Sequence, residues 1–225
     1  FPPVALEIPQ GWHGSDSLAC FFGPFIDPTG TYSKQIFKST DKHGGSFAAR
    51  LVTTAQGSFG NLPAVMANAN ILLDTAGGQL NVKFDGGIPV TERLDYANAW
   101  VKYNPASPGE EGMIMVQAVL AGAAADGSDS VVGQGMQTIV ESSAYEPVSA
   151  QINYVTTTVV PNRIRVMFYS SSPDAISFTD GTELYVDDVT VSRFPTAVTR
   201  IFTNTSVKVY PTVTSGQVKL EPSEN

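Results

Sequence analysis

Almost every periodic segment of this chain alternates apolar and polar residues with a period of two. Ser46 to Thr54 reads Ser-Phe-Ala-Ala-Arg-Leu-Val-Thr-Thr, and Asn98 to Tyr103 reads Asn-Ala-Trp-Val-Lys-Tyr. Alternation rich in β-branched and aromatic residues marks strands with one face buried. Gly112 to Leu120, Gly133 to Glu141, Val148 to Tyr154, Asn162 to Ser170 and Thr182 to Arg193 continue the series. Turn signals separate these runs, among them Asp85-Gly86-Gly87, Pro105 to Gly109, Ser172-Pro173-Asp174 and Asp180-Gly181. Strands punctuated by turns, without a long amphipathic helix, predict an all-β jelly-roll β-sandwich of two antiparallel sheets. Ala118 to Ala125 is alanine-rich but runs straight into a turn, so it reads as a strand end and loop. Gly57 to Ala69 reads as an excursion packed over one sheet.

A chain of 225 residues that is 42% hydrophobic can bury a good core. We expect one domain over residues 1–195 and a linker with the start of a further segment over 196–225. A net charge of -8 with no cluster of Lys and Arg opposes binding to nucleic-acid phosphates. The single cysteine, Cys20, excludes an internal disulfide or a thiolate metal cage, and its apolar surroundings read as packing. No apolar run approaches the roughly 20 residues of a membrane-spanning helix, so no membrane insertion is expected. The chain opens on Phe-Pro-Pro, so an export signal is expected to have been removed or to lie outside this sequence.

The stretch Gly181-Thr-Glu-Leu-Tyr-Val-Asp-Asp-Val-Thr-Val191 places two aspartates inside a strand. Strict alternation puts Leu184, Val186 and Asp188 on one face, and Tyr185, Asp187 and Val189 on the other. A buried carboxylate must be paired, neutralised or bound to a metal. Alternation therefore assigns Asp188 to the sandwich edge, as a metal ligand or an acceptor of amides, and leaves Asp187 solvated.

Glu7 with Pro9-Gln-Gly-Trp12, Gly44-Gly-Ser-Phe-Ala-Ala-Arg-Leu51, Trp100-Val-Lys-Tyr-Asn-Pro105, Phe168-Tyr-Ser-Ser-Ser172 and Leu184-Tyr-Val-Asp-Asp-Val-Thr-Val191 follow one another along the chain. In this order they resemble jelly-roll carbohydrate-binding modules, and more narrowly the carbohydrate metabolism domain family of Bacteroidetes. The resemblance covers roughly residues 5 to 193; it implies a fold and a substrate class, but no reaction. Near the C-terminus, Val207-Lys-Val-Tyr-Pro-Thr-Val-Thr-Ser-Gly-Gln-Val-Lys-Leu-Glu221 resembles the start of the C-terminal sorting domain of type IX secretion, with Thr212 and Val213 in place of the usual Asn and Pro. That resemblance implies a secreted protein or one held at the outer cell surface.

In many modules of this kind a structural Ca²⁺ is held by an early acid, by loop carbonyls before the Gly-Ser-x-x-x-Arg-Leu strand and by an acid near the last strand. The matching positions are Glu7, the loop from Asp41 to Ser46, and Asp188, which offer the hard oxygen donors calcium prefers. Asp188 could instead hydrogen-bond loop amides or pair with Arg50 without any metal.

Sugar binding needs flat apolar surface beside hydrogen-bonding groups. Alternation gives a semi-polar set of Asn98, Trp100 and Lys102 on one strand and of Arg165, Met167 and Tyr169 on another. Joined by Met115, Gln117, Gln151 and Asn153, these would form one concave glycan face. The competing reading places Trp100 and Tyr169 in the core, under the 57–69 excursion. Trp12 is a further candidate, with a packing role as its alternative.

Glycoside hydrolysis requires two carboxylates across a cleft, and Glu92, Asp95, Glu110, Glu111, Glu141, Glu146 and Asp187 are available, most of them beside turns. No Gly-x-Ser-x-Gly elbow or His-Glu-x-x-His helix accompanies His13 and His43. The expectation is a monomeric module that binds polysaccharide or oligosaccharide without catalysis. A sandwich-fold hydrolase or lyase, and a structural surface module without ligand, are the alternatives.

Overall fold

A computed structural model describes residues 6–18, 32–74, 81–125 and 127–195, and within them the alternating segments are strands. In chain order these are β1 (His13–Gly14), β2 (Ile36–Ser39), β3 (Ala48–Val52), β4 (Thr54–Ala55), β5 (Asn61–Leu62), β6 (Val65–Ala67), β7 (Ala69–Asp74), β8 (Asn81–Gly86), β9 (Ile88–Pro89), β10 (Tyr96–Asn104), β11 (Gly112–Leu120), β12 (Ser130–Ile139), β13 (Ser142–Gln151), β14 (Asn153–Tyr154), β15 (Arg163–Tyr169) and β16 (Glu183–Ser192). The described helical residues are two 3₁₀ turns, Ser15–Leu18 and Gly57–Phe59. Cys20 and the segment 196–225 lie outside the described residues.

Two antiparallel sheets face each other, as the alternation predicts. One has seven strands in the order β1-β6-β15-β11-β12-β14, with β9 also paired to β15; the other has five, in the order β13-β10-β16-β3-β2. Strands distant in sequence are neighbours in both, which is the crossover connectivity of a jelly roll. Leu51, Val101, Tyr103, Leu184 and Val186 project inward from the five-stranded sheet and meet Ile114, Val116, Ile164, Val166 and Phe168 from the other. Removing each such side chain from water is worth roughly 1.5–3 kcal/mol, which is what holds the layers together. The sheets approach closely at Gly135, where an added Cβ would lie 1.7 Å from the backbone oxygen of Gln151.

Gly112–Leu120 is a strand as read, and the chain turns after it. Strand β13 starts at Ser142, six residues before the expected Val148. Pro147 is tolerated there because β13 is a sheet edge, with one side free of the ladder. The 57–69 segment is not an excursion over a sheet. Val65–Ala67 is a member of the seven-stranded sheet, between β1 and β15. The cover on that sheet's outer face comes instead from the hairpin β7–β8, whose Ile71 and Phe84 pack with Met167, Met115 and Tyr169.

The acidic pair breaks the alternation that was used to read it. Trp100 pairs with Asp187 but Asn98 pairs with Thr190, so one extra residue of β16 stands opposite Ala99. Asp188 adopts φ +47°, a left-handed conformation that aspartate tolerates better than most residues. After this bulge the inward positions are Val189 and Val191, which pack against the core.

Candidate functional site

On the five-stranded sheet, residues between the inward set face outward and line up across the strands. The register runs Phe37 to Arg50, Arg50 to Tyr185 and Tyr185 to Lys102, with Tyr145 next along β13. Aromatic and cationic side chains therefore alternate over five adjacent strands. The Arg50 guanidinium lies 4.7 Å from the Phe37 ring centre, and the Lys102 ammonium lies 4.3 Å from that of Tyr185 and 6.0 Å from that of Tyr145. Lys34 joins the row, its ammonium 5.1 Å from the Phe37 ring centre. Burial, together with the charges of Asp41 and Asp187, pushes the Tyr145 phenol up. Burial and the hydrogen bond to Glu183 do the same for Tyr185, so both remain neutral donors.

Each cation of the row has a carboxylate. Lys34 pairs with Glu7 at 3.0 Å, Arg50 with Glu183 at 3.0 Å, and Lys102 with Asp41. Tyr185 also donates to Glu183 at 2.9 Å, and Tyr145 donates to the backbone oxygen of Asp41 at 2.9 Å. Glu183 belongs to a strand, whereas Glu7 and Asp41 reach the row from segments outside the sheets.

Trp100 sits two residues before Lys102 on β10, half-buried, and its indole is stacked on the His43 imidazole. The two aspartates hold that histidine loop. Asp187 accepts the amides of His43 at 2.8 Å and Gly44 at 2.9 Å through Oδ2, and the amide of Asp188 at 2.8 Å through Oδ1. Asp188 Oδ2 meets His43 Nδ1 at 2.8 Å. Asp187 is thus an amide acceptor rather than the solvated residue read from alternation, because the 43–44 loop lies against it, while Asp188, in the bulge, lines the edge and meets His43. Arg50 is on Glu183, not on Asp188. An added Cβ at Gly44 would lie 2.6 Å from Asp188 Oδ2, so a larger residue there would push that carboxylate aside.

The six residues nominated for sugar contact do not share a face. Asn98, Trp100 and Lys102 belong to the five-stranded sheet; Arg165, Tyr169 and Gln117 project from the outer side of the seven-stranded one. Alternation tells in from out but not which of two sheets a strand joins. Asn98 is 2% exposed and engaged with Ser192, Ser149 and the backbone of Phe194, so it is a structural amide. Arg165, 4% exposed, pairs with Asp129 and donates to the Gly86 backbone oxygen at 3.0 Å, anchoring β8. Tyr169 packs under the β7–β8 hairpin, where burial pushes its phenol up to about 12. Gln117 lies half-buried between Gln134 and Arg165 in the ladder. Trp12 packs 6.0 Å from Phe168, the packing alternative for this residue.

The nominated calcium donors disperse as well. Asp41 is held by Lys102, Glu7 by Lys34 and by the Lys38 amide at 3.1 Å, and Asp188 by His43, while Ser46 is exposed. Among the described residues no three His, Cys, Asp or Glu side chains gather as a metal site. Glu7 and Asp188 nevertheless both line a pocket of about 570 Å³ at the sandwich edge, beside Trp12, Phe47 and Met66.

Two carboxylates serve the fold elsewhere. Asp16, 2% exposed, accepts the amides of Gln35 and Ile36 and the Tyr32 hydroxyl, with burial pushing its carboxyl up. Nothing local in the sequence marks it, since its donors come sixteen or more residues later. Burial would raise the Glu110 carboxyl too, but hydroxyls of Thr182 and Ser171 and the Thr179 amide outweigh it and hold the group below its ordinary range.

No family model and no curated protein sequence matches the chain. Among solved structures it is similar to a Bacteroides thetaiotaomicron protein provisionally named a glycoside hydrolase, with a TM-score of 0.54 and 13% identity over 79% of this chain. The chain spans 61% of that protein's length. Weaker likenesses are a carbohydrate-binding module specific for non-crystalline cellulose (TM-score 0.42, 13% identity, 81% of this chain and 87% of that one) and an adhesin domain of Lys-gingipain from Porphyromonas gingivalis (TM-score 0.40, 14% identity, 83% and 93%). At such identities the shared property is the fold.

Proposed function

We propose that this sandwich binds carbohydrate without catalysis, through the outer face of its five-stranded sheet. The observation that carries the reading is the row Lys34, Phe37, Arg50, Tyr185, Lys102, Tyr145. It sets ring edges and nitrogen donors in alternation across five strands, the mixture of apolar and hydrogen-bonding surface a sugar requires. A jelly-roll fold of the kind used by carbohydrate-binding modules supports it by analogy. The reading is non-catalytic because Asp41, Glu183 and Asp187 on this face are each tied to a cation or to amides. A glycosidase needs one carboxyl free to give a proton and a second across the cleft.

Polysaccharide is met outside the cell, so the proposal includes secretion or display at the outer surface. No helix of the described residues is long and apolar enough to cross a membrane.

A glycan-array screen followed by calorimetry tests the face. Ligand binding is expected to be lost in a Lys102→Ala/Tyr145→Ala double variant that keeps its circular dichroism spectrum. Binding that persists in that folded variant rules the face out.

A further inference from the structure

Resting on the carbohydrate reading above, we infer that the glycan this face accepts is anionic, carrying carboxylate or sulfate groups. A neutral pyranose is held chiefly by laying its C–H face on an open aromatic ring. Each ring here already has a cation or an imidazole beside it. Phe37 has Lys34 and Arg50 against it, Tyr185 and Tyr145 share Lys102, and Trp100 carries His43 at 3.8 Å. The cations of the row are each met by a carboxylate of the chain's own, the kind of partner such N–H donors select.

The charge placement argues the same way. The chain carries 13 Lys and Arg against 21 Asp and Glu, yet three of those cations line up on one face of one sheet. Lys34 and Lys102 are largely covered, with side chains 21% and 14% exposed, while Glu7 and Asp41 opposite them are 43% and 48% exposed. Both carboxylates come from outside the strands and rest on the row from the solvent side. They occupy the places that carboxylates or sulfates of an acidic polysaccharide would take. Glu7 and Asp41 are the more exposed partner of each pair, so an incoming anion can reach and replace them from the solvent side. In this arrangement Asp41 competes with the ligand for Lys102.

Affinity electrophoresis and calorimetry with polygalacturonate, a sulfated galactan and a neutral galactan test this, using the whole chain. The expected result is binding of one or both acidic polymers, weakened at least about fivefold between about 50 mM and about 500 mM salt, with the neutral polymer unbound. Polygalacturonate and the sulfated polymer separate carboxylate from sulfate recognition. Asp41→Asn is expected to tighten acidic-polymer binding by about two- to fivefold by removing the competing charge. A merely structural Asp41 would leave the affinity unchanged or lower it, and either result overturns the inference. Lys102→Met, checked for folding by its melting curve, is expected to weaken binding about tenfold or more. Salt-insensitive binding of the neutral polymer overturns the anionic class and leaves the carbohydrate reading standing. Binding to none of the three overturns the anionic inference, and the glycan array then decides the carbohydrate reading.

Discussion

His43 lies flat on Trp100, their ring centres 3.8 Å apart and their planes 7° from parallel. The same imidazole meets Asp188 through Nδ1, and its backbone amide is held by Asp187. One loop histidine thus joins the bulge of β16 to the aromatic surface of β10.

Replacing His43 by alanine uncovers one face of Trp100 and leaves Asp188 without its partner. Stacked aromatic contacts contribute about 1 kcal/mol beyond burial, so His43→Ala is expected to destabilise by about that amount in urea. The only other tryptophan, Trp12, is packed against Phe168. A shift in tryptophan emission therefore reports on Trp100; unchanged emission would mean that the stack is absent in solution.

Asp187→Ala is expected to cost about 2 kcal/mol, since three amides lose a charged acceptor. Asp188→Gly is expected to change stability by less than about 1 kcal/mol, because relief at φ +47° offsets the lost contact with His43. Denaturant midpoints giving the reverse order would restore the roles that alternation assigned.

Chelation separates two states of the edge. With His43 on Asp188 and Lys34 on Glu7, the carboxylates have protein partners, and excess EDTA is expected to leave the melting temperature unchanged. A fall in melting temperature, with stoichiometric calcium found by elemental analysis, would place the ion on Glu7 and Asp188.

Glu110 gives stability an acid limit. Its folded pKa is depressed, so its contribution is present above the unfolded value and is lost as pH falls through the folded one. Glu110→Gln is expected to be destabilising near neutral pH, with the gap closing below the ordinary glutamate value of about 4.3. Parallel denaturation curves at both ends of that range measure it. A pH-independent gap would show that the hydrogen bonds of Thr182, Ser171 and Thr179 do not depend on the charge.

The alternating segments and their turns carried the all-β sandwich, the strand β11 to its last residue, and the inward set of β10, because a period of two is a property of the backbone itself. They also put Trp100 and Lys102 on the opposite face of that strand, leaving open whether Trp100 was covered there. Sheet membership could not be read that way. Asn98, Trp100, Lys102 and Arg165, Gln117, Tyr169 obey one alternation rule, yet crossovers send their strands to opposite layers. The parity of Asp188 was lost to one inserted residue, since a bulge opposite Ala99 reverses every inference beyond Asp187, which keeps its pairing with Trp100. Most of the row on the five-stranded sheet escaped detection for a related reason. Phe37, Arg50, Tyr185, Lys102 and Tyr145 come from five strands spread over more than a hundred residues, and they become neighbours through pairings that no local pattern encodes.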